Sequence, residues 1–163
     1  MPRSEPAVCA CPFCVAGIAS AAFADDERFL ALYDISPVLP GHSLIVPRRH
    51  VKSLLGLSDE ELAAMMVFAR RTTRLLTRVF SADGFDWAIQ DGAAAGQTVP
   101  HLHLHIIPRH DGDLPDPGDW YPALIASEAA TIDSRLRPRL TTAEHAQITE
   151  KLRAFAAADS DQA

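Results

Sequence analysis

Residues 101–105 read His-Leu-His-Leu-His and run on through Ile106, Ile107, Pro108 and Arg109. Successive side chains of a β-strand point to opposite faces, so His101, His103 and His105 share one face. Leu102, Leu104 and Ile106 fill the other. Neighbouring imidazoles on the shared face start roughly 6.6–6.8 Å apart, from a rise of about 3.3–3.4 Å per residue. One side of this strand is built for packing and the other for chemistry. Neutral imidazole is a nucleophile, a base and a metal ligand near pH 7.

The flanking sequence supplies elements to hold such a strand. Residues 29–35 and 42–46 read as strands, with Pro37, Pro40 and Gly41 as turn material between them and Pro47 as a stop. Ser58 and Glu61 form a capping box, and Asp59 and Glu60 place negative charge in the first turn of a long helix. Leu62, Met65, Met66, Ala69, Thr73, Leu76 and Phe80 follow at helical spacing, giving that helix one core face. Phe85, Trp87 and Ile89 alternate with Asp86, Ala88 and Gln90 as a further strand. A Gly-containing loop at 91–96 then leads into the histidine strand, which predicts an antiparallel pair. Residues 110–122 read as an extended surface loop. Thr141 and Glu144 cap a last helix with Ile148, Leu152 and Phe155 as its apolar stripe. The expected fold class is α+β, a mostly antiparallel sheet with one long helix packed on it. Residues 1–10 form a lead-in, 11–109 the main body of the domain, and 110–163 a C-terminal loop and helix on the same domain.

Bulk properties narrow the function classes. With 163 residues, 48% apolar and 22% charged, the chain matches one ordinary globular domain. A formal net charge of −6 argues against stable nucleic-acid binding but permits a small anionic substrate held by local positive groups. No apolar run is long enough to predict a membrane span. Residues 7–24 imitate a signal peptide, with Ala22-Phe23-Ala24 resembling a cleavage site, but Cys9, Cys11, Pro12, Cys14 and Gly17 interrupt the centre. Three cysteines do not make a disulfide framework, and a cytoplasmic chain with metal ligands is the expectation.

Three uses of the histidine strand compete. The rings could bind a metal, one ring could attack phosphorus while its neighbours hold the oxygens, or the histidines could simply lie on an edge strand. Strict alternation after a Gly-rich loop and Gln97-Thr98 disfavours the last.

Residues 96–107, Gly-Gln-Thr-Val-Pro-His-Leu-His-Leu-His-Ile-Ile, resemble the signature of the histidine triad (HIT) family. The resemblance extends through Gln90-Asp91-Gly92 and through residues 37–42, and is strongest with the fragile histidine triad and bacterial dinucleoside polyphosphate hydrolase branch. It implies a HIT-like fold and attack by His103 on the α-phosphorus of a dinucleoside polyphosphate such as a diadenosine polyphosphate. A nucleotidyl-histidine intermediate would then be hydrolysed to release a nucleoside monophosphate. One ring nitrogen of His103 must stay free, the other donating to an acceptor such as a backbone carbonyl. By the same resemblance His105 stabilises charge beside the phosphate, His42 buttresses the triad, and Gln97, Thr98 and Gln90 serve the phosphates. Asp34 falls where relatives hold ribose, although an aspartate before Ser36-Pro37 also starts turns. Phe13, Leu32 and Ile45 are candidate walls of a base pocket or plain core. The family implies a homodimer.

Cys11-Pro12-Phe13-Cys14 alone reads as redox, packing or metal-binding. With His50 and His101 it supplies four ligands for a closed tetrahedral zinc site, and some members of the wider superfamily carry zinc on this kind of set. A structural zinc would hold His101 out of the chemistry; Cys9 is an alternative to Cys11. Rival readings are a Hint-like nucleoside phosphoramidase, whose Trp-Pro-Pro-Gly ending has no counterpart in this sequence, a non-catalytic nucleotide-binding sensor, and a hydrolase using zinc catalytically. Trp120-Tyr121 reads as a loop anchor, and Arg135, Arg137 and Arg139 as solvated charge.

Overall fold

The computed structural model describes residues 11–129 and 139–160. The lead-in at 1–10 with Cys9, and Arg135 and Arg137, lie outside the described residues. The strands are β1 (Ala22–Asp25), β2 (Phe29–Tyr33), β3 (Ser43–Pro47), β4 (Gly84–Ala88) and β5 (Leu104–Arg109). The helices are α1 (Asp59–Val79), α2 (Trp120–Ala129) and α3 (Thr142–Ser160).

All five strands join in one antiparallel sheet, ordered β1-β2-β3-β5-β4. The α+β expectation holds. Every residue of β2 and β3 is buried because both faces of the sheet centre are covered. On one face Phe29, Ala31, Tyr33, Ile45, Leu102, Leu104 and Ile106 pack with Met65, Phe68, Leu75 and Leu76 of α1 and Leu152 of α3. On the other face Leu30, Leu32, Leu44 and Val46 pack with Phe13, Ile18 and Ala21 of the N-terminal segment. Burying an aliphatic or aromatic side chain of this size stabilises the fold by about 1.5–3 kcal/mol.

The long helix starts as its residues predict. Ser58 Oγ accepts from the Glu61 N–H at 3.2 Å and Glu61 Oε2 accepts from the Ser58 N–H at 2.8 Å. Its buried face also takes in Phe68, Thr72 and Leu75. Between β2 and β3, Gly41 has φ +92°, and a Cβ there would lie 2.7 Å from Pro108 Cγ. Glycine therefore lets the turn close against β5 and deliver His42 beneath the triad.

Two expectations need correction, and one strand goes unmarked by the sequence pattern. Residues 110–122 are not one extended loop: a 3-10 turn at Pro117–Asp119 leads into α2 at Trp120. Asp119 Oδ2 accepts from the Asp116 N–H at 3.1 Å, so aspartates and a proline that read as loop are a helix start. Residues 22–25, taken with the signal-like segment, are edge strand β1, with Phe23 buried. In α3, Phe155 is 41% exposed, and Thr149 joins Leu152 in the interior instead. Thr141 caps α3 as expected, accepting from the Glu144 N–H at 3.2 Å.

Candidate active site

The three histidines meet three different surroundings. The β5 ladder begins only at Leu104, so His101 and His103 precede it. Their alternation persists because the Leu102 N–H donates to Val51 O at 2.7 Å, which holds the segment extended with Leu102 in the core. His105 stands opposite Leu44 and Ala88, on the face away from α1. There a cavity of about 240 Å³ is lined by His103, His105, Asp34, Thr98, Leu32, Leu44 and Phe13.

His103 is 3% exposed. Its Nδ1–H donates to the His101 carbonyl at 2.8 Å, which leaves Nε2 with a lone pair. Burial depresses its pKa, against smaller upward pulls from that hydrogen bond and from Asp34, so the neutral nucleophilic form is favoured. The His105 ring lies with its centroid 4.9 Å from that of His103.

The proton on His105 is fixed from behind. The Val38 N–H donates to His42 Nδ1 at 3.2 Å, so His42 must carry its proton on Nε2. That N–H donates to His105 Nδ1 at 2.9 Å, and His105 therefore bears its proton on Nε2. His42 and His105 are each 1% exposed, so no solvent competes for this chain. The structure thus sets one ring with an open lone pair beside one ring that presents an N–H.

Other predicted residues divide. Asp34 is 6% exposed; Oδ1 accepts from the Ser36 N–H at 2.7 Å, the turn role, and Oδ2 lies 3.8 Å from His42 Nε2. Thr98 lines the cavity. Gln97 is tied to backbone: its Oε1 accepts from the Gly92 N–H at 2.9 Å and its Nε2 donates to Lys52 O at 2.8 Å. Gln90 is 4% exposed and is not among the cavity-lining residues. Neither of its amide atoms has a hydrogen-bond partner among the described residues. It packs under Gly96, where a Cβ would lie 2.7 Å from Gln90 Nε2. Of the candidate walls, Phe13 and Leu32 line the cavity, whereas Ile45 is plain core.

Cys11, Cys14, His50 and His101 converge beside the triad, with one potential ligand atom from each lying within 4.8 Å of the others. Cys11 Sγ and Cys14 Sγ lie 3.3 and 3.5 Å from His101 Nδ1, and Cys14 Sγ lies 3.2 Å from His50 Nδ1. A tetrahedral zinc with Zn–S about 2.3 Å and Zn–N about 2.0–2.1 Å sets sulfur and nitrogen about 3.5 Å apart, so the donor set fits that ion. His101 Nε2 donates to Pro47 O at 2.9 Å, which leaves Nδ1 unprotonated toward the thiols. Burial also lowers the His101 pKa and favours the ligating form.

Two site residues escaped the sequence reading. His145 of α3 lines the cavity while its Nε2 donates to Tyr33 O at 2.9 Å. Glu128 of α2 places Oε1 3.6 Å from His105 Nε2 with its side chain only 7% exposed. No local pattern marks either one; each arrives through long-range docking of a helix. Trp120 and Tyr121 meet edge to face at the start of α2, and Arg139 is exposed.

Comparisons with known proteins bear on the family and the fold. The model of the HIT domain matches residues 16–112. The bis(5'-nucleosyl)-tetraphosphatase (asymmetrical) of Schizosaccharomyces pombe is 38% identical over 111 residues, 68% of this chain and 61% of that protein. The bis(5'-adenosyl)-triphosphatase of Dictyostelium discoideum is 44% identical over 92 residues, 56% of this chain and 62% of that protein. The chain thus spans about three fifths of the length of these curated relatives. A Zn-bound histidine triad family protein from Mycobacterium smegmatis superposes with a TM-score of 0.67 at 34% identity, over 93% of this chain and 97% of that one.

Proposed function

The chain belongs to the HIT domain family, and from that premise we propose that it is a nucleotide hydrolase acting on dinucleoside polyphosphates. The observation that carries the proposal is the paired tautomers: an Nε2 lone pair on His103, held by the 2.8 Å bond to the His101 carbonyl, beside the Nε2–H of His105. His103 attacks the α-phosphorus; a P–N bond forms and the P–O bond to the leaving nucleotide breaks. Water then attacks the same phosphorus, the P–N bond breaks, and a nucleoside monophosphate leaves. Between those steps the His105 N–H supports charge on a phosphoryl oxygen, with His42 fixing that proton. The activities carried in the names of the Schizosaccharomyces pombe and Dictyostelium discoideum relatives support this substrate class.

Asp34, through the oxygen not bound to Ser36, holds ribose hydroxyls at the apolar end of the cavity. Thr98 donates to phosphate, and Gly96 keeps Gln90 close to the loop. Gln97 acts on phosphate indirectly, by fixing the loop that presents Thr98. Cys11, Cys14, His50 and His101 hold a structural zinc, supported by the donor geometry and by the Zn-bound neighbour. Four protein ligands leave that ion no open position for substrate. The proposed assembly is a homodimer through the α1 and β4 face, where Val67 and Phe85 are 58% and 51% exposed.

The test is to incubate wild type and His103→Ala with diadenosine tri- and tetraphosphate and separate products by anion exchange. Release of AMP with ADP or ATP, lost in the variant, is expected. Cleavage of an adenosine phosphoramidate instead would refute the polyphosphate reading and leave a phosphoramidase.

A further inference from the structure

The carboxylate of Glu128 sits where a substrate phosphate must go. One of its oxygens lies within 4.8 Å of ring nitrogens of both His103 and His105. A phosphorus poised for attack lies about 3–3.5 Å from the attacking nitrogen. Its oxygens would therefore enter the volume that Glu128 fills. Charge forbids sharing as well: a carboxylate and a phosphate both only accept, and Glu128 Oε1, 3.6 Å from His105 Nε2, stands where a phosphate oxygen accepting from that N–H would go.

Two imidazoles and a carboxylate at this spacing also resemble a metal site. The hydrogen-bond chain from Val38 through His42 argues against that use, because it leaves His105 Nε2 protonated and so offers a donor, not a lone pair. The seat is built for an anion, and the chain supplies one of its own.

The helix carrying Glu128 is pinned at one end. Arg109 binds Asp86 at 2.7 Å, Asp113 at 2.7 Å and the Pro117 carbonyl at 2.8 Å. That guanidinium clamps the turn from which α2 starts. Beyond it, Leu124 is buried and Ile125 packs over Gly96. Among the described residues, the helix packs chiefly on the turn before it. Glu128 lies eight residues past Trp120, about 12 Å along the axis, so a pivot of about 20° at the pinned end moves the carboxylate about 4 Å.

We propose that Glu128 is a displaceable internal anion: α2 lays its carboxylate in the phosphate seat of His103 and His105, and an incoming nucleotide swings it out. The proposal rests on the nucleotide-hydrolase reading of the cavity. It makes α2 a gate that opens for phosphates able to outcompete a carboxylate and disfavours weaker anions.

The test is AMP titration by calorimetry on wild type and Glu128→Gln, with Glu128→Asp as a second variant in case the first does not fold. Glu128→Gln should bind AMP at least about fivefold more tightly, the lower end of ordinary coupling between two states. Glu128→Asp, its carboxylate drawn back by one methylene, should shift affinity the same way. Ala126 is exposed near the Glu128 end of α2, so Ala126→Trp combined with Trp87→Phe and Trp120→Phe carries its sole tryptophan on the part of the helix that moves. The emission of that variant should change as AMP binds. Equal or weaker AMP binding by the Glu128 variants overturns the proposal, as does an unchanged emission from the reporter variant. If that happens while wild type still cleaves diadenosine tetraphosphate, only the gate fails. If wild type neither binds AMP nor cleaves, both readings fail.

Discussion

Replacing His42 by phenylalanine tests the proton chain on which the site depends. Phenylalanine keeps a ring in the space and removes the donor. His105 Nδ1, 2.9 Å from His42 Nε2 and in a residue 1% exposed, would become a buried acceptor deprived of that donor. Such a group costs about 1–3 kcal/mol. For a domain of this size that lowers the thermal midpoint by about 2–12 °C. The catalytic cost is larger. Without His42 the chain that fixes the His105 proton on Nε2 from behind is cut, and the donor that faces the phosphate is weakened. Loss of one donor to a developing oxyanion lowers kcat by about 10²–10³. The assay is turnover of diadenosine tetraphosphate at saturating substrate, alongside nitrogen NMR of the imidazoles. In wild type, His105 should be protonated on Nε2 and His103 on Nδ1. A wild-type His105 protonated on Nδ1, or a folded His42→Phe with full kcat, would refute the reasoning.

Other expectations follow from the same contacts. The purified protein should carry about one zinc per chain by mass spectrometry, lost in Cys14→Ser; chelation should lower the thermal midpoint and reduce turnover without abolishing it in protein that stays folded, because an ion with four protein ligands would position His101 and perform no chemistry. Gly41→Ala should cost about 1–3 kcal/mol in urea denaturation, because alanine is strained at φ +92° and its Cβ would meet Pro108 at 2.7 Å. Hydrogen bonds from Arg109 and Arg49 hold Asp113 and Glu61 down to about 2. Unfolded, these carboxyls titrate near 3.8 and 4.5, so their contribution is complete above that range and is lost as pH falls toward 2. Arg109→Met should flatten that acid limb of the stability curve, as followed by circular dichroism.

The site's inner half is legible in the sequence because its residues lie on one strand or at one turn. Alternation alone places Leu102, Leu104 and Ile106 in the core and sends the histidines elsewhere. The Ser58–Glu61 box marks where α1 begins because capping is a contact between residues three apart. The outer half is not legible for the opposite reason. Glu128 stands 23 positions beyond His105, on a helix whose start is written in Asp116, Pro117 and Asp119, residue types that equally spell a loop. His145 reaches the cavity only because Leu152 buries α3 against the sheet. Gln97 shows a different limit. Its type suits phosphate, but three backbone groups claim its amide, and only the folded loop reveals them.

Among the described residues, His101 joins the proposed zinc ligands to His103, the proposed nucleophile. His101 turns Nδ1 toward Cys11 and Cys14, gives Nε2–H to Pro47, and offers its own carbonyl to His103. All three contacts constrain one residue from side chain to backbone, so anything that fixes the His101 ring also fixes the acceptor that sets the His103 tautomer. The coupling runs in that direction because the ring is 0% exposed and cannot relax into solvent. A vacant cluster would loosen the carbonyl before it altered the cavity. Damage there should therefore appear as a mixture of His103 tautomers, with the proton shared between Nδ1 and Nε2, while Asp34 and Thr98 still line an unchanged pocket. Three histidines at strict alternation thus divide into a ring turned to two thiols, a ring with an open Nε2 lone pair and a ring that presents an N–H. The division comes from what stands behind each ring: two thiols, a peptide carbonyl and His42.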